Sequence, residues 1–225
     1  MWLKKPNATN GEYKEVCERI EEELELPISF EGRYKWIVFL NSRINPKIPV
    51  LNRYYGVFED GTMKIRGIDL RRHDTPEIVR KCQKDMLDVL AQARDSREFI
   101  ELVPKALAVM RTYVSALRMH KIPTEQLVVE KRLSKMPNEY RNLVPQAIAA
   151  RHLIKEGGTV HAGQSVSFVM TRNESKIPEN RSLPAELIDS TTSYDTKSYV
   201  DLVLSSAANL LLPFGYDLKS LRELV

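Results

Sequence analysis

The chain has 225 residues, 43% hydrophobic and 28% charged, which is enough apolar material for one large or two small packed domains and excludes a disordered polymer. Lys and Arg total 34 against 30 Asp and Glu, a net charge of +4 compatible with a polyanionic partner. Cys17 and Cys82 have no metal spacing and imply no disulfide framework. With no signal-like apolar run and none of bilayer length, the expectation is a soluble, cytoplasmic protein without a membrane partner.

In chain order, "GEYKEVCERIEEELEL" places Tyr13, Val16, Cys17, Ile20 and Leu24 at helical spacing, the pattern of an amphipathic helix. "YKWIVFL", Tyr34 to Leu40, is rich in aromatic and β-branched residues and reads as a strand. "NSRINPKIPVLN", with Pro46 and Pro49, reads as a loop. The segment Leu51 to Pro76 then alternates on both sides of Glu59, Asp60 and Gly61, predicting a β-hairpin in which the two carboxylates serve the turn. Thr75 is the expected cap of the next helix, with Pro76 at its first position and Ile78, Cys82, Met86, Val89, Leu90 and Ala93 inward.

Asp95 and Glu98 predict a capping box. The helix they open carries a stripe of Phe99, Val103, Leu107, Met110, Val114 and Leu117, kinked or delayed by Pro104. A strand at "LVVEKRL", a helix "PQAIAARHLIKEGG" closed by glycine, and a strand "QSVSFVMTR" follow. A last helix from Asp195 to Pro213 turns Tyr199, Val203, Leu204, Ala207, Leu210 and Leu211 inward.

The motifs of autonomous catalysis are missing from the sequence. His73, His120, His152 and His161 share no ligand spacing, and there is no P-loop, dinucleotide fingerprint or nucleophile elbow. The positive signal is the placement of cations. Lys64 and Arg66 project from one face of a strand, and Arg71 and Arg72 stand where that strand gives way to a helix. A second cluster interleaves Lys131, Arg132, Lys135 and Arg141 with the hydroxyls of Ser134 and Tyr140. Two readings fit this pattern: a grip on a phosphate backbone, or charged hairpins kept soluble and paired with Asp69 or Asp74.

The stretches "YKWIVFLNSR", "NRYYGVFEDG", "IRGIDLRRHDTP", "LVVEKRLSKMPNEYRNLVPQAIAARHL", "AGQSVSFVMTR" and "LLPFGYD" resemble, in order and over almost the whole chain, the C-terminal part of an archaeal family B DNA polymerase. The resemblance implies an α+β fold: the C-terminal part of a palm over residues 1–50, then a mainly helical thumb over 51–225 with a β-hairpin at its base. "MWLKKP" is similar to the segment just after the Tyr-x-Asp-Thr-Asp metal motif, so the chain most resembles the small subunit of a split, two-chain polymerase. That likeness implies an archaeal heterodimer for DNA replication, with exonuclease, fingers and catalytic palm on a large partner. It implies no catalytic or metal residue here and Mg2+ held by the partner, so this nucleotidyltransferase subunit is not catalytic alone.

The same likeness assigns primer-template contacts to Asn52, Arg53, Tyr54, Lys64, Arg66, Arg71 and Arg72, and to Ser134, Lys135, Tyr140 and Arg141 further up the duplex. Where the family usually reads Lys-Lys-Arg-Tyr, this chain has Leu51 to Tyr54, so Asn52 replaces a minor-groove lysine. Ser134 and Lys135 stand for the usual Thr-Arg. "SYDTKS" has Lys197 where a second metal-binding carboxylate would be, and Asp195 there reads as a helix cap. The tail "LKSLRELV" lacks the Gln and paired aromatics of a sliding-clamp peptide. An apolar face around Trp2, Trp36, Ile37 and Phe39 is expected to meet the large chain. The rival readings are a stand-alone duplex-binding protein and an independent enzyme, which would need turnover without added protein.

Overall fold

The computed structural model describes residues 3–5, 7–42, 44–45, 47–189 and 191–225. Trp2 and Pro46 fall outside them. The first helix, α1 (Asn10–Leu24), starts from a complete capping box in which Thr9 accepts from the Glu12 amide and the Glu12 carboxylate accepts from the Thr9 amide at 2.7 Å. Its amphipathic pattern is as the sequence predicts. Yet no residue of it is buried: Tyr13, Val16, Cys17 and Ile20 are half-covered and Leu24 is exposed.

Strands β1 (Tyr34–Asn41), β2 (Pro49–Phe58) and β3 (Met63–Arg66) form an antiparallel sheet in that order. The last four residues of the expected loop, from Pro49 on, already belong to β2, where Pro49 pairs with Asn41 as the first residue of the strand, a position that tolerates proline. The expected domain division at residues 50/51 falls inside β2, so the sheet straddles it. At the hairpin tip Asp60 accepts from the Thr62 amide at 2.8 Å and hydroxyl at 2.7 Å. One face of the sheet carries Trp36, Leu40, Tyr55 and Val57 into the core. Trp36 is therefore no docking residue. Its indole Nε1 donates to the Ala93 carbonyl at 3.0 Å, while Ile37 and Phe39 of the expected face point the other way, half-buried. Gly56 sits in mid-strand because a Cβ there would meet the Trp36 carbonyl and the Tyr34 ring at 2.8 Å.

Helix α2 (Glu77–Leu90) begins one residue later than expected, capped by Pro76 without a side-chain hydrogen bond, so Thr75 does not cap it. Its inward face adds Val79, Gln83 and Leu87 to the predicted stripe, while Val89 is only half-buried. Helix α3 (Ser96–Arg118) is capped by Asp95, which accepts from the Arg97 and Glu98 amides. Glu98 returns its carboxylate to the Arg94 amide at 2.9 Å instead of closing the box on Asp95. Pro104 does not delay α3, which starts at Ser96 and carries the proline inside it on the exposed side, where the carbonyl one turn earlier can turn to water. The predicted stripe of α3 is buried throughout, with Ala106 added.

A second antiparallel sheet joins β4 (Val129–Arg132), β5 (Ser165–Met170) and β6 (Ser182–Pro184), with α4 (Pro145–Lys155) packed against it. Gly157, at φ +87°, closes α4 as expected. Helix α5 (Thr196–Leu211) packs on α2 and α3, and α6 (Leu218–Glu223) packs on α5. The short β6 and α6 had no clear sequence signal. One continuous core runs from Trp36 to Leu221. Buried tyrosines stitch it: Tyr55 donates to the Leu210 carbonyl at 3.0 Å, Tyr194 to Leu117 at 2.9 Å and Tyr199 to Leu127 at 2.8 Å.

Candidate nucleic-acid interface

The first cation cluster grows from the outer face of the β1–β2–β3 sheet. Register places Phe39, Tyr54 and Arg66 in one cross-strand row and Ile37, Gly56 and Lys64 in the next. Arg66 is exposed. Lys64 is partly covered and paired with Glu31, while burial and the neighbouring Arg66 charge hold its pKa down. Tyr54 is buried at 6% exposure and packs against Phe39. Arg53 is committed to the backbone, donating to the carbonyls of Gly67 (3.1 Å) and Asn41. Asn52, next to it, is exposed.

After β3 the chain reverses at Gly67, φ +64°, where a Cβ would meet Arg53 and the Asn52 carbonyl at 2.7 Å. A single 3-10 turn, Asp69–Arg71, then leads to α2. Arg71 is exposed, and neither it nor Arg66 makes an ion pair among the described residues. Arg72 forms a two-pronged pair with Asp74 at 2.8 and 2.7 Å, so the paired-charge reading holds for this arginine. Their bond holds the Asp74 carboxyl below the usual carboxylate range, aided by the Lys131 charge.

That last influence is geometric as well. Arg72, Asp74 and Lys131 line one cleft of about 500 Å³ between the α2 and α5 side and the β4–β5 sheet, floored by Val79, Val129 and Phe168. Two cation clusters separate in sequence are thus brought to one cleft through Arg72 and Lys131. The second cluster continues on the loop after β4. Tyr140 accepts from the Ser134 amide at 2.9 Å and lies 3.1 Å from its hydroxyl, and the Lys135 ammonium stands 4.9 Å above the Tyr140 ring. Burial alone would raise the Tyr140 phenol; hydrogen bonds from Ser134 and the nearby Lys135 charge outweigh it and bring it below its ordinary value. Arg141 and Ser134 are exposed, Lys135 half so. Arg151, which sequence reasoning missed, donates to the Pro137 carbonyl at 3.1 Å and fixes this loop on α4. Arg132 is spent on the Gly163 carbonyl at 2.6 Å.

Asp195 caps α5 and also ties down the segment after β5. Its two oxygens accept from the amides of Ser198 and Asn173, each at 2.7 Å, and Lys197 is paired with Glu174. Among the described residues no three His, Cys, Asp or Glu side chains converge as a metal site. No helix among them is long and apolar enough to cross a membrane.

Asp69, Asp74 and Asp201 line this cleft beside Arg72 and Lys131, so its charge is mixed, and the exposed cations Arg66, Arg71 and Arg141 of this α+β chain lie outside it. The family model for DNA polymerase family B matches residues 26–214, and the chain belongs to that family. It is 26% identical to a DNA polymerase of Thermococcus aggregans over 221 residues, covering 97% of this chain and 11% of that one. A DNA polymerase of Archaeoglobus fulgidus is 22% identical over 238 residues, covering 99% of this chain and 28% of its own. The structure of the family B DNA polymerase from the hyperthermophilic archaeon Pyrobaculum calidifontis matches 90% of this chain with a TM-score of 0.64 at 24% identity, using 24% of its length. That likeness is one of fold. The chain thus spans between about a tenth and about a quarter of these relatives.

Proposed function

We propose that this chain is the small subunit of a split family B DNA polymerase, completing the palm with residues 1–50 and supplying the thumb that holds primer-template duplex with 51–225. The observation that carries the reading is a division of surfaces. Six of the twelve exposed large apolar side chains among the described residues, Leu3, Leu24, Leu26, Ile44, Ile48 and Leu51, lie in the first 51 positions, a surface suited to a protein partner. The exposed cations Arg66, Arg71, Lys131 and Arg141 lie on the well-packed remainder, a surface suited to phosphate.

In this reading Arg66, Arg71 and Arg72 grip phosphates near the primer end, Arg72 exchanging its Asp74 partner for DNA. Ser134, Lys135, Tyr140 and Arg141 hold the duplex upstream, Asn52 offers an uncharged donor to a base edge, and Lys64 adds positive field. Arg53 and Tyr54 act from behind, one bracing the Gly67 reversal and the other the cross-strand row that ends in Arg66. Phosphate contacts fix register without reading sequence, which suits an enzyme that accepts any template. Among the described residues no carboxylates converge as a metal site, and this reading gives both Mg2+ ions to the partner and position to this chain. In this reading the tail packs on the body of the chain and not on a clamp, in keeping with the burial of Leu221 and the Leu224 carbonyl accepting from Arg111 at 3.1 Å.

The test is gel filtration of this chain with a large family B polymerase chain from the same cells, combined with thiol labelling. The reading expects a 1:1 complex at micromolar concentration and protection of Cys17, half-exposed on α1, when the complex forms. A chain that stays alone and monodisperse while binding duplex DNA unaided would establish the stand-alone alternative instead.

A further inference from the structure

Gln83 is a polar side chain in the middle of an apolar stripe. It is 1% exposed on α2, between Val79 and Cys82 on one side and Met86 and Leu87 on the other. Nothing about packing calls for an amide there, since leucine fills similar space without a polar group to satisfy. The amide is fully directed. Its Oε1 accepts from the Leu70 amide at 2.6 Å, and its Nε2 donates to the Ser206 hydroxyl at 2.8 Å and carbonyl at 3.2 Å. The Leu70 N–H can only donate and the Ser206 carbonyl can only accept, so the amide has one permitted orientation. One turn along α5, Asn209 donates to the Asp69 carboxylate at 2.8 Å.

Successive residues of the Asp69–Arg71 turn are therefore tied down by two amides, Asp69 from α5 and Leu70 from α2. The next two residues are the cations Arg71 and Arg72. A single 3-10 turn has little stability of its own, so its direction depends on such ties. We propose that Gln83 is a positioning residue for the phosphate grip of Arg71 and Arg72, acting through the backbone of Leu70 and anchored by Ser206. The proposal rests on the DNA-gripping reading above.

The test measures binding of a random-sequence DNA duplex against salt concentration, using the full chain with its partner where the complex forms. The reference is Arg71→Ala with Arg72→Ala, which should flatten the log–log salt slope by about 1.8, at about 0.9 for each lost phosphate contact. Gln83→Leu should flatten it by more than half of that amount with the far-UV spectrum unchanged, and should add nothing in the double-arginine background. A Gln83→Leu protein with the wild-type slope, beside a flattened double-arginine variant, overturns the positioning role and leaves the grip standing. An equal loss of affinity in both backgrounds also overturns it, because the effect is then one of general stability. An unchanged slope in the double-arginine variant removes the grip itself and the role of Gln83 with it. Should Gln83→Leu fail to fold, Gln83→Met, an unbranched side chain nearer in shape, takes its place with the same outcomes.

Discussion

Residues 3–51 and residues 54–225 obey different rules. The later region buries what its sequence pattern says it should: every predicted stripe residue of α3 and α5 lies in one continuous core. The earlier region makes equally regular elements and leaves much of their apolar surface uncovered. Helix α1 has a stripe, a complete capping box and no buried residue, and β1 turns Trp36 and Leu40 inward while Ile37 and Phe39 remain half-covered. Local sequence rules, caps and periodicity, suffice to form an element; covering its apolar face takes something to pack against. In our reading that something is the large subunit.

The sharpest way to break this comparison is a pair of truncations in the isolated chain. Met110→Ala, in the fully buried stripe of α3, should cost about 2–5 kcal/mol in chemical denaturation. Ile20→Ala, on α1, should change stability by less than about 0.5 kcal/mol and weaken only the association with the large chain. Equal costs for the two would mean that α1 is as well packed as the body. Next in size, Asp195→Ala removes the cap of α5 at Ser198 and the tie to the Asn173 amide, and should lower stability by roughly 1–2 kcal/mol. Single-turnover incorporation by the assembled complex should survive it.

A smaller effect has the opposite sign. Asp74→Asn spares Arg72 the loss of its two-pronged partner on binding DNA and removes a negative charge from the cleft, so duplex binding should tighten while the number of phosphate contacts, and with it the salt slope, changes little. Unchanged or weaker binding would show that Arg72 serves the Asp74 pair alone. The smallest effect concerns the N-terminal region. Lys5 and the Thr9 amide hold the Glu12 carboxyl down at about 2, against an ordinary 4.5. A depressed carboxyl contributes stability that is present above its unfolded value and lost as pH falls through the folded one. The capping box of α1 should therefore persist from neutral pH to below 4.5 and open toward 2, which an NMR titration of Glu12 reads directly. Titration near 4.5 would show that the box does not hold in solution.

Most of the framework was legible in the sequence because periodicity and end signals are local. The stripes of α3 and α5, the hairpin tip at Asp60 and the glycine closure of α4 depend on residues a few positions apart. Where expectation and structure part, a non-local contact decided. Trp36 looked like surface in a strand read alone, but its indole bonds to Ala93 across the core. Thr75 looked like a cap, but the chain enters α2 through Pro76. The candidate site divides in the same way. The exposed arginines of the proposed grip are visible in the sequence, while the meeting of Arg72 and Lys131 in one cleft needed α2 and α5 to be assembled with the β4–β5 sheet. Gln83 and Arg151 left a fainter trace: a polar residue at an inward position of α2, and a cation on the helix after a basic loop, each holding a loop whose address no local rule gives.

The central claim is that this chain contributes position through phosphate contacts while the chemistry lies elsewhere. The most direct measurement is the salt dependence of primer-template binding, with the lengths of extension products, for the assembled complex carrying Arg66→Ala, Arg71→Ala and Arg72→Ala together. The account predicts a log–log slope flatter by about 0.9 for each of the three contacts, shorter products, and an unchanged rate of single-turnover incorporation at saturating DNA. A wild-type slope and wild-type product lengths in a folded, assembled triple variant would contradict it.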